Sequence, residues 1–237
     1  MKGKLIVFEG TDGSGKATQS RLLCQHLTRE GIPFKNIDFP RYGQPSAVMV
    51  QEYLNGSLGK NPGDVNAYAA SLFFSMDRYA SYKQDWGGFY EAGGLIVADR
   101  YTTSNAVHQA SKLPEGERKE YLDWLFGLEY GHLGLPEPDL VLYLDMPTEI
   151  TERMMRGREQ ATGTHADIHE QDEAYLKSCR ANAREVVRQC GWHVILCAEG
   201  DSPRSVEDIH REVWGVVKGL LYSLSRNNTA KRDAGRP

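Results

Sequence analysis

One stretch of the sequence has residue types and spacing suited to holding phosphate: Gly10-Thr11-Asp12-Gly13-Ser14-Gly15-Lys16-Ala17-Thr18. Glycines permit backbone conformations that turn successive N–H groups into one concavity. Lys16 adds a mobile full charge for outer phosphate oxygens. The stretch follows the apolar run Leu5-Ile6-Val7-Phe8 and precedes a helical pattern carrying Leu22, Leu23 and Leu27. Strand, glycine-rich loop and helix in that order are the context of a P-loop, because the helix N-terminus contributes unpaired N–H donors and partial positive charge. One position departs from the pattern. Ala17 stands where a Ser or Thr hydroxyl usually binds Mg²⁺, and Thr18 follows it.

Other candidate groups recur after apolar runs. Pro40 and Gly43 bracket a turn that presents Arg41. Phe74 and Arg78 share a helix face, a flat ring beside a guanidinium, which suits stacking on and hydrogen bonding to a nucleobase; alone, the pair reads by default as a core Phe and a surface Arg. Asp99 ends the run from Leu95, where a carboxylate resembles a metal-holding strand-tip acid, and Arg100 beside it can reach an anion. Asp145 ends another run, so on pattern alone either acid could serve. Asn105, His108 and Gln109 have helical spacing. Arg153, Arg156 and Arg158 precede Thr162-Gly163-Thr164 and Asp167-Ile168-His169-Glu170, which suggests a mobile lid closing over phosphates.

Short apolar runs at Leu5–Phe8, Phe34–Asp38, Leu95–Asp99, Leu140–Asp145 and His193–Cys197 must position these groups. Helical patterns fill the gaps, so the expected class is α/β, a parallel five-stranded sheet with helices on both faces. Ligands of such sheets bind at the carboxyl ends of the strands. The chain of 237 residues, 40% hydrophobic and 25% charged, suits one domain over residues 1–224, with a lid at about 153–170. A disordered polar tail is expected over 225–237. The net charge of −4 argues against a general nucleic-acid grip. No run is long enough to span a membrane, and no signal peptide is evident. Cysteines 24, 179, 190 and 197 lack metal or redox spacing and read as reduced thiols of a cytoplasmic protein.

Taken in order, Glu9-Gly10-x-Asp12-Gly13-x-Gly15-Lys16, Phe39-Pro40-Arg41, Phe74-x-x-Asp77-Arg78, Asp99-Arg100-Tyr101-x-x-Ser104 and Asp167-Ile168-His169-Glu170 resemble the motifs of the thymidylate kinases. The resemblance spans about residues 3 to 215. It implies a P-loop NTPase fold and transfer of the ATP γ-phosphoryl group to dTMP, giving dTDP for dTTP synthesis, with Mg²⁺ required. It implies that Gly10 to Thr18 cradle ATP and that Asp12 lies near the acceptor sugar. Phe74 would stack on thymine, Arg78 would bond the base edge, and Arg41 and Arg100 would hold the dTMP phosphate. Phe39, Pro40, Asn105, His108, Gln109 and His169 would line the dTMP pocket. Asp99 would organise Mg²⁺, with Asp12 as a second metal-side acid acting directly or through water. Gly13 leaves the loop without the arginine that some members place there. The chain therefore resembles the bacterial type, whose catalytic arginines come from the lid: Arg158 and Arg153 match first, beside Lys16, Asp99 and Arg100. Family members are commonly homodimers. The competing readings are another nucleoside monophosphate or deoxynucleoside kinase, and a nucleotide-dependent switch. Arg41 and Arg100 argue for a phosphorylated acceptor, and the Asn-Lys-x-Asp guanine motif is absent.

Overall fold

The computed structural model describes residues 2–151, 153, 167–169 and 172–233. Five strands form one sheet: β1 (Lys4–Glu9), β2 (Phe34–Asp38), β3 (Leu95–Asp99), β4 (Leu140–Asp145) and β5 (His193–Leu196). All pair in parallel in the order β2-β3-β1-β4-β5. They fall where the apolar runs predict, within a residue at each end. Register brings the strand tips level, with Asp99 opposite both Phe8 and Asp38.

Parallel strands need long crossovers, which the helices supply. They are α1 (Lys16–Arg29), α2 (Val48–Leu54), α3 (Ala67–Ser81), α4 (Gly87–Glu91), α5 (Thr102–His108), α6 (Glu115–Phe126), α7 (Glu173–Cys190) and α8 (Val206–Asp233). The sheet is covered on both faces. Ile6, Phe8, Val97 and Leu142 pack with Leu23 and Leu27 of α1 and with Val213 and Val217 of α8. Leu5, Val7, Ile96 and Ala98 pack instead with Trp86, Tyr90 and Tyr101. Strand side chains alternate between faces, so a strand covered twice must be apolar at every position. Burying each such side chain contributes about 1.5–3 kcal/mol relative to exposure.

Two stretches are π-helical, Tyr82–Trp86 and Gly127–His132. A short antiparallel hairpin, β6 (Ala198–Glu199) with β7 (Ser202–Pro203), precedes α8. Helix α8 continues to Asp233, where composition predicts a disordered tail from 225. A helix already nucleated and packed extends at little cost, because each added residue fixes one more backbone hydrogen bond, even without an apolar stripe. All four cysteines are unpaired. Among the described residues no helix is long and apolar enough to cross a membrane.

Candidate active site

The glycine-rich loop joins β1 to α1, and its geometry explains its composition. Gly10 has φ +151°, and a Cβ there would lie 2.6 Å from the Ser14 Oγ and 2.8 Å from the Leu144 carbonyl oxygen. Gly13 and Gly15 lie in the left-handed region, at φ +77° and +94°. The loop closes around its own lysine: Nζ of Lys16 donates to the carbonyls of Gly10 and Thr11, both at 2.9 Å. Burial and the nearby Arg100 lower the Lys16 pKa, against the opposing pull of Asp12, Asp99 and Glu9. The hydroxyls of Thr11 and Ser14 are buried and find no hydrogen-bond partner among the described residues.

Arg100, at the tip of β3, adopts φ +67°. Such a backbone costs a non-glycine residue on the order of 1–3 kcal/mol. Contacts on several sides hold it there. Its N–H donates to the Phe8 carbonyl at 3.0 Å. Nη2 pairs with Asp12, and Nη1 lies 3.8 Å from Glu9 and 3.4 Å from both the Ser104 hydroxyl and Nε2 of His108. Burial alone would raise the Asp12 carboxyl, but Arg100 and Lys16 outweigh it and hold the group well below the usual carboxylate range. Glu9 is fully buried, and both its oxygens are used. Oε1 accepts from the Gly10 N–H at 2.9 Å, and Oε2 from the Thr103 and Ser104 hydroxyls at 2.7 Å each. One carboxylate thus ties the loop to the start of α5.

Beside Asp99, Asp38 ends β2, and burial together with the Asp99 and Asp77 charges raises its pKa. The Phe39–Pro40 bond that follows is cis. On α3, Arg78 is only 1% exposed. Its Nε donates to Glu129 Oε2 at 2.7 Å and its Nη2 to Oε1 at 2.5 Å. Glu129 sits on the second π-helical stretch and also accepts from Ser75 and Thr102. Burial opposes the Arg78 charge, and Glu129 more than compensates, raising its pKa.

These pieces meet on one cavity of about 720 Å³. Its walls are Asp12, Gly13 and Gly15 to Thr18 of the glycine-rich loop, the strand-tip residues Asp38, Phe39, Pro40, Asp99 and Arg100, the α3 residues Phe74 and Arg78, and the α5 side through Ser104, Asn105, His108 and Gln109, with Asp167 and His169. A loop of N–H donors, a buried lysine and a strand-tip guanidinium on one cavity suit a ligand carrying phosphates at more than one place. The family model for thymidylate kinase matches residues 8–213. The chain belongs to the thymidylate kinase family. The thymidylate kinase of Mycobacterium tuberculosis is 33% identical over 190 residues, covering 79% of this chain and 87% of that one. That of Dictyostelium discoideum is 27% identical over 234 residues, covering 98% and 92%. The solved structure of the Candida albicans thymidylate kinase superposes with a TM-score of 0.70 over 92% of both chains at 22% identity, a likeness of fold.

Most of the site residues that the thymidylate kinase motifs single out line the cavity; among the described residues Gly10, Thr11, Ser14, Arg41 and Arg153 do not. Arg41 is held at 17% exposure by Asp77, to which its N–H and Nε donate at 2.8 and 3.3 Å, and it does not line the cavity. Arg153 is exposed and donates from Nη2 to the Asp201 carbonyl at 2.9 Å, beside the hairpin. Gly10 and Thr11 form the loop behind the lining residues. Arg156, Arg158 and most of the lid lie outside the described residues. Asp145 accepts two hydrogen bonds from Arg180, at 3.0 and 2.9 Å, and so is neutralised within the fold. Sequence reasoning missed Glu129 and assigned no role to Asp38. A charged residue at a helix position surrounded by apolar neighbours signals a buried partner, but not which acid it is.

The donor set fits Mg²⁺ of a thymidylate kinase. Asp99 and Asp38 stand side by side at the cavity, with Asp12 across the loop. Among the described residues no three His, Cys, Asp or Glu groups converge on a metal. Mg²⁺ suits such a site, because it takes one or two carboxylates and keeps its waters and phosphate oxygens.

Proposed function

We propose that this chain transfers the γ-phosphoryl group of ATP to dTMP, giving dTDP and ADP. The observation that carries the reading is that Lys16, Arg100 and the Phe74–Arg78 face of α3 lie on one cavity in a member of this family. In this reading Gly10 to Thr18 cradle the ATP phosphates, with Lys16 exchanging its loop carbonyls for phosphate oxygens. Phe74 stacks on the base; its ring stands edge-on to Tyr53, with centroids 6.2 Å apart, which supports a fixed stacking plate. Glu129 clamps Nε and Nη2 of Arg78, and Nη1, which donates to the Tyr101 carbonyl at 3.4 Å, has its second N–H for a base carbonyl. Asn105, His108, Gln109 and His169 shape the sugar side. Arg100 holds the acceptor phosphate, and Arg41 joins it on leaving Asp77. Asp12 stays ionised and accepts from the sugar hydroxyl.

Little covalent work falls to the protein; positioning and charge neutralisation carry the rate. Mg²⁺, held by Asp99 with Asp38 or Asp12 directly or through water, supplies charge neutralisation at the phosphate oxygens when bound. The lid arginines Arg153, Arg156 and Arg158 supply the transition-state cation that Gly13 withholds from the loop. The enzyme works in the cytoplasm as a homodimer. Tyr68, Leu72 and Met76, spaced by four on α3, are 37%, 42% and 43% exposed, which supports a partner on that face. A coupled assay across the common nucleoside monophosphates and thymidine tests the reaction. dTMP is expected to be the best acceptor, with weaker use of dUMP. Preference for a purine monophosphate, or for unphosphorylated thymidine, would sink the reading.

A further inference from the structure

Beyond the residues that line the cavity, a directed hydrogen-bond chain runs into its wall. Lys112 closes the short turn after α5. Its Nζ donates to the Tyr53 hydroxyl oxygen at 2.8 Å and to the Val65 carbonyl at 3.0 Å, and it lies 4.9 Å from the centroid of the Tyr53 ring. Tyr53, on α2, has one hydroxyl proton and two neighbouring acceptors. Nε2 of His169 is 2.7 Å away, and the Pro62 carbonyl 3.3 Å. Assigning the hydroxyl proton to the shorter contact makes Nε2 of His169 the acceptor and places the ring proton on Nδ1. His169 stays neutral, because burial, helped by Lys112, holds its pKa down to about 3.

The chain continues by stacking. The His169 and His108 rings are 5.9 Å apart and 8° from parallel. Nε2 of His108 faces Nη1 of Arg100 at 3.4 Å. A guanidinium only donates, so His108 also carries its proton on Nδ1. Five side chains thus run from Lys112 through Tyr53, His169 and His108 to Arg100, and Arg100 pairs with Asp12. Lys112 is an ammonium with no acceptor capacity, and its burial costs solvation that a surface lysine would keep.

We propose that Lys112 is a positioning residue for the acceptor-side wall of the cavity. Acting through Tyr53, it fixes the tautomer and orientation of His169 and, by stacking, holds His108 against Arg100. The cation orients the Tyr53 hydroxyl, because an O–H next to an ammonium donor must turn its proton away from it. Of the two acceptors around that hydroxyl, His169 is the nearer. The consequence for binding rests on the reading of dTMP as acceptor; the consequence for the tautomer does not.

Three variants test it. Lys112→Met keeps the stem and removes the donors, Lys112→Arg keeps a donor, and Tyr53→Phe keeps the ring and removes the link. The first readout is the ring-nitrogen spectrum of the full chain labelled with ¹⁵N-histidine. The parent is expected to show His169 with Nδ1 protonated and Nε2 as acceptor, and Lys112→Met and Tyr53→Phe to show a tautomer mixture. The second readout is steady-state kinetics. Each of these two variants should raise KM for dTMP on the order of tenfold, with kcat within about threefold and KM for ATP unchanged. Lys112→Arg should restore KM, and the double variant should lose no more than either single one, as expected for groups acting in one chain. A parental tautomer and KM in Lys112→Met would overturn the proposal. So would equal losses in Lys112→Arg and Lys112→Met with a lowered Tm, because that pattern marks a lysine that only stabilises the fold. If dTMP proves not to be the acceptor, the spectra still decide the tautomer.

Discussion

At the scale of single residues, the site is a set of charges whose partners decide what each can do. Lys16 spans two loop carbonyls and, in the proposed function, contributes charge to phosphate, not packing to the core. Lys16→Ala is therefore expected to keep its fold, read by circular dichroism, while turnover falls by on the order of a hundredfold or more. Normal activity in a folded variant would refute the loop assignment. Arg78 and Glu129, at 1% and 0% side-chain exposure, are a buried pair. Removing one partner of such a pair leaves an uncompensated charge and costs about 3–5 kcal/mol. Glu129→Gln is thus expected to lower Tm by roughly 6 °C or more for a domain of this size, with KM for dTMP raised. A thermal midpoint within about 2 °C of the parent would show that Arg78 does not depend on Glu129.

At the scale of elements, β1, β2 and β3 deliver their site residues at the carboxyl end, and each following segment sets their direction. The β1 loop surrounds Lys16, the β3 tip turns Arg100 into the left-handed region, and the β2 tip places Asp38 beside Asp99. In the proposed mechanism the lid supplies the remaining cation. Replacing Arg153, Arg156 and Arg158 singly by Ala should lower kcat by on the order of a hundredfold in at least one case, Arg158 first, with KM for dTMP little changed. Arg153 bonds the Asp201 carbonyl, so its share requires that it leave the hairpin. Steady-state kinetics decide it, and kcat within about threefold in all three would make the lid only a cover. The exposed stripe on α3 yields another element-scale expectation. Leu72→Glu with Met76→Glu should convert the proposed dimer to monomer in sedimentation, with the monomer fold intact; a parental sedimentation profile would count against this interface.

At the scale of the whole molecule, burial of neutral histidines links the site to acid stability. The folded pKa of His169 is about 3 against an ordinary value of 6.5, and that of His108 also lies well below 6.5; burial is the main cause for both. Below pH 6.5 the unfolded chain binds protons that the folded chain refuses. Stability is therefore fully present above pH 6.5 and falls as the pH drops from there toward 3. By pH 5, His169 alone removes roughly 2 kcal/mol. Thermal unfolding should show a midpoint several degrees lower at pH 5 than at pH 7.5, and His169→Gln should flatten that slope. An equal slope in the variant would mean that other groups set the acid response. Asp12 adds to the loss only below its unfolded value near 3.8, because its folded pKa is depressed.

By itself, the sequence determined the sheet, the loop and most residues of the cavity, because these are written in local pattern. A strand covered on both faces must be a short apolar run, and a loop that wraps a lysine must have glycine where Ser14 and the Leu144 carbonyl leave no room for a Cβ. Only the tertiary structure decided which charges meet. Arg78 finds Glu129 across 51 residues and His169 finds Tyr53 across 116. Arg41 turns to Asp77, and Asp145 to Arg180, away from the cavity. No spacing in the chain encodes those choices, because they follow from how helices pack over the sheet and from the cost of leaving a buried charge or hydroxyl without a partner. The continuation of α8 to Asp233 belongs to the same class. Local composition there is that of a solvated tail, and the packed helix before it carries the backbone on.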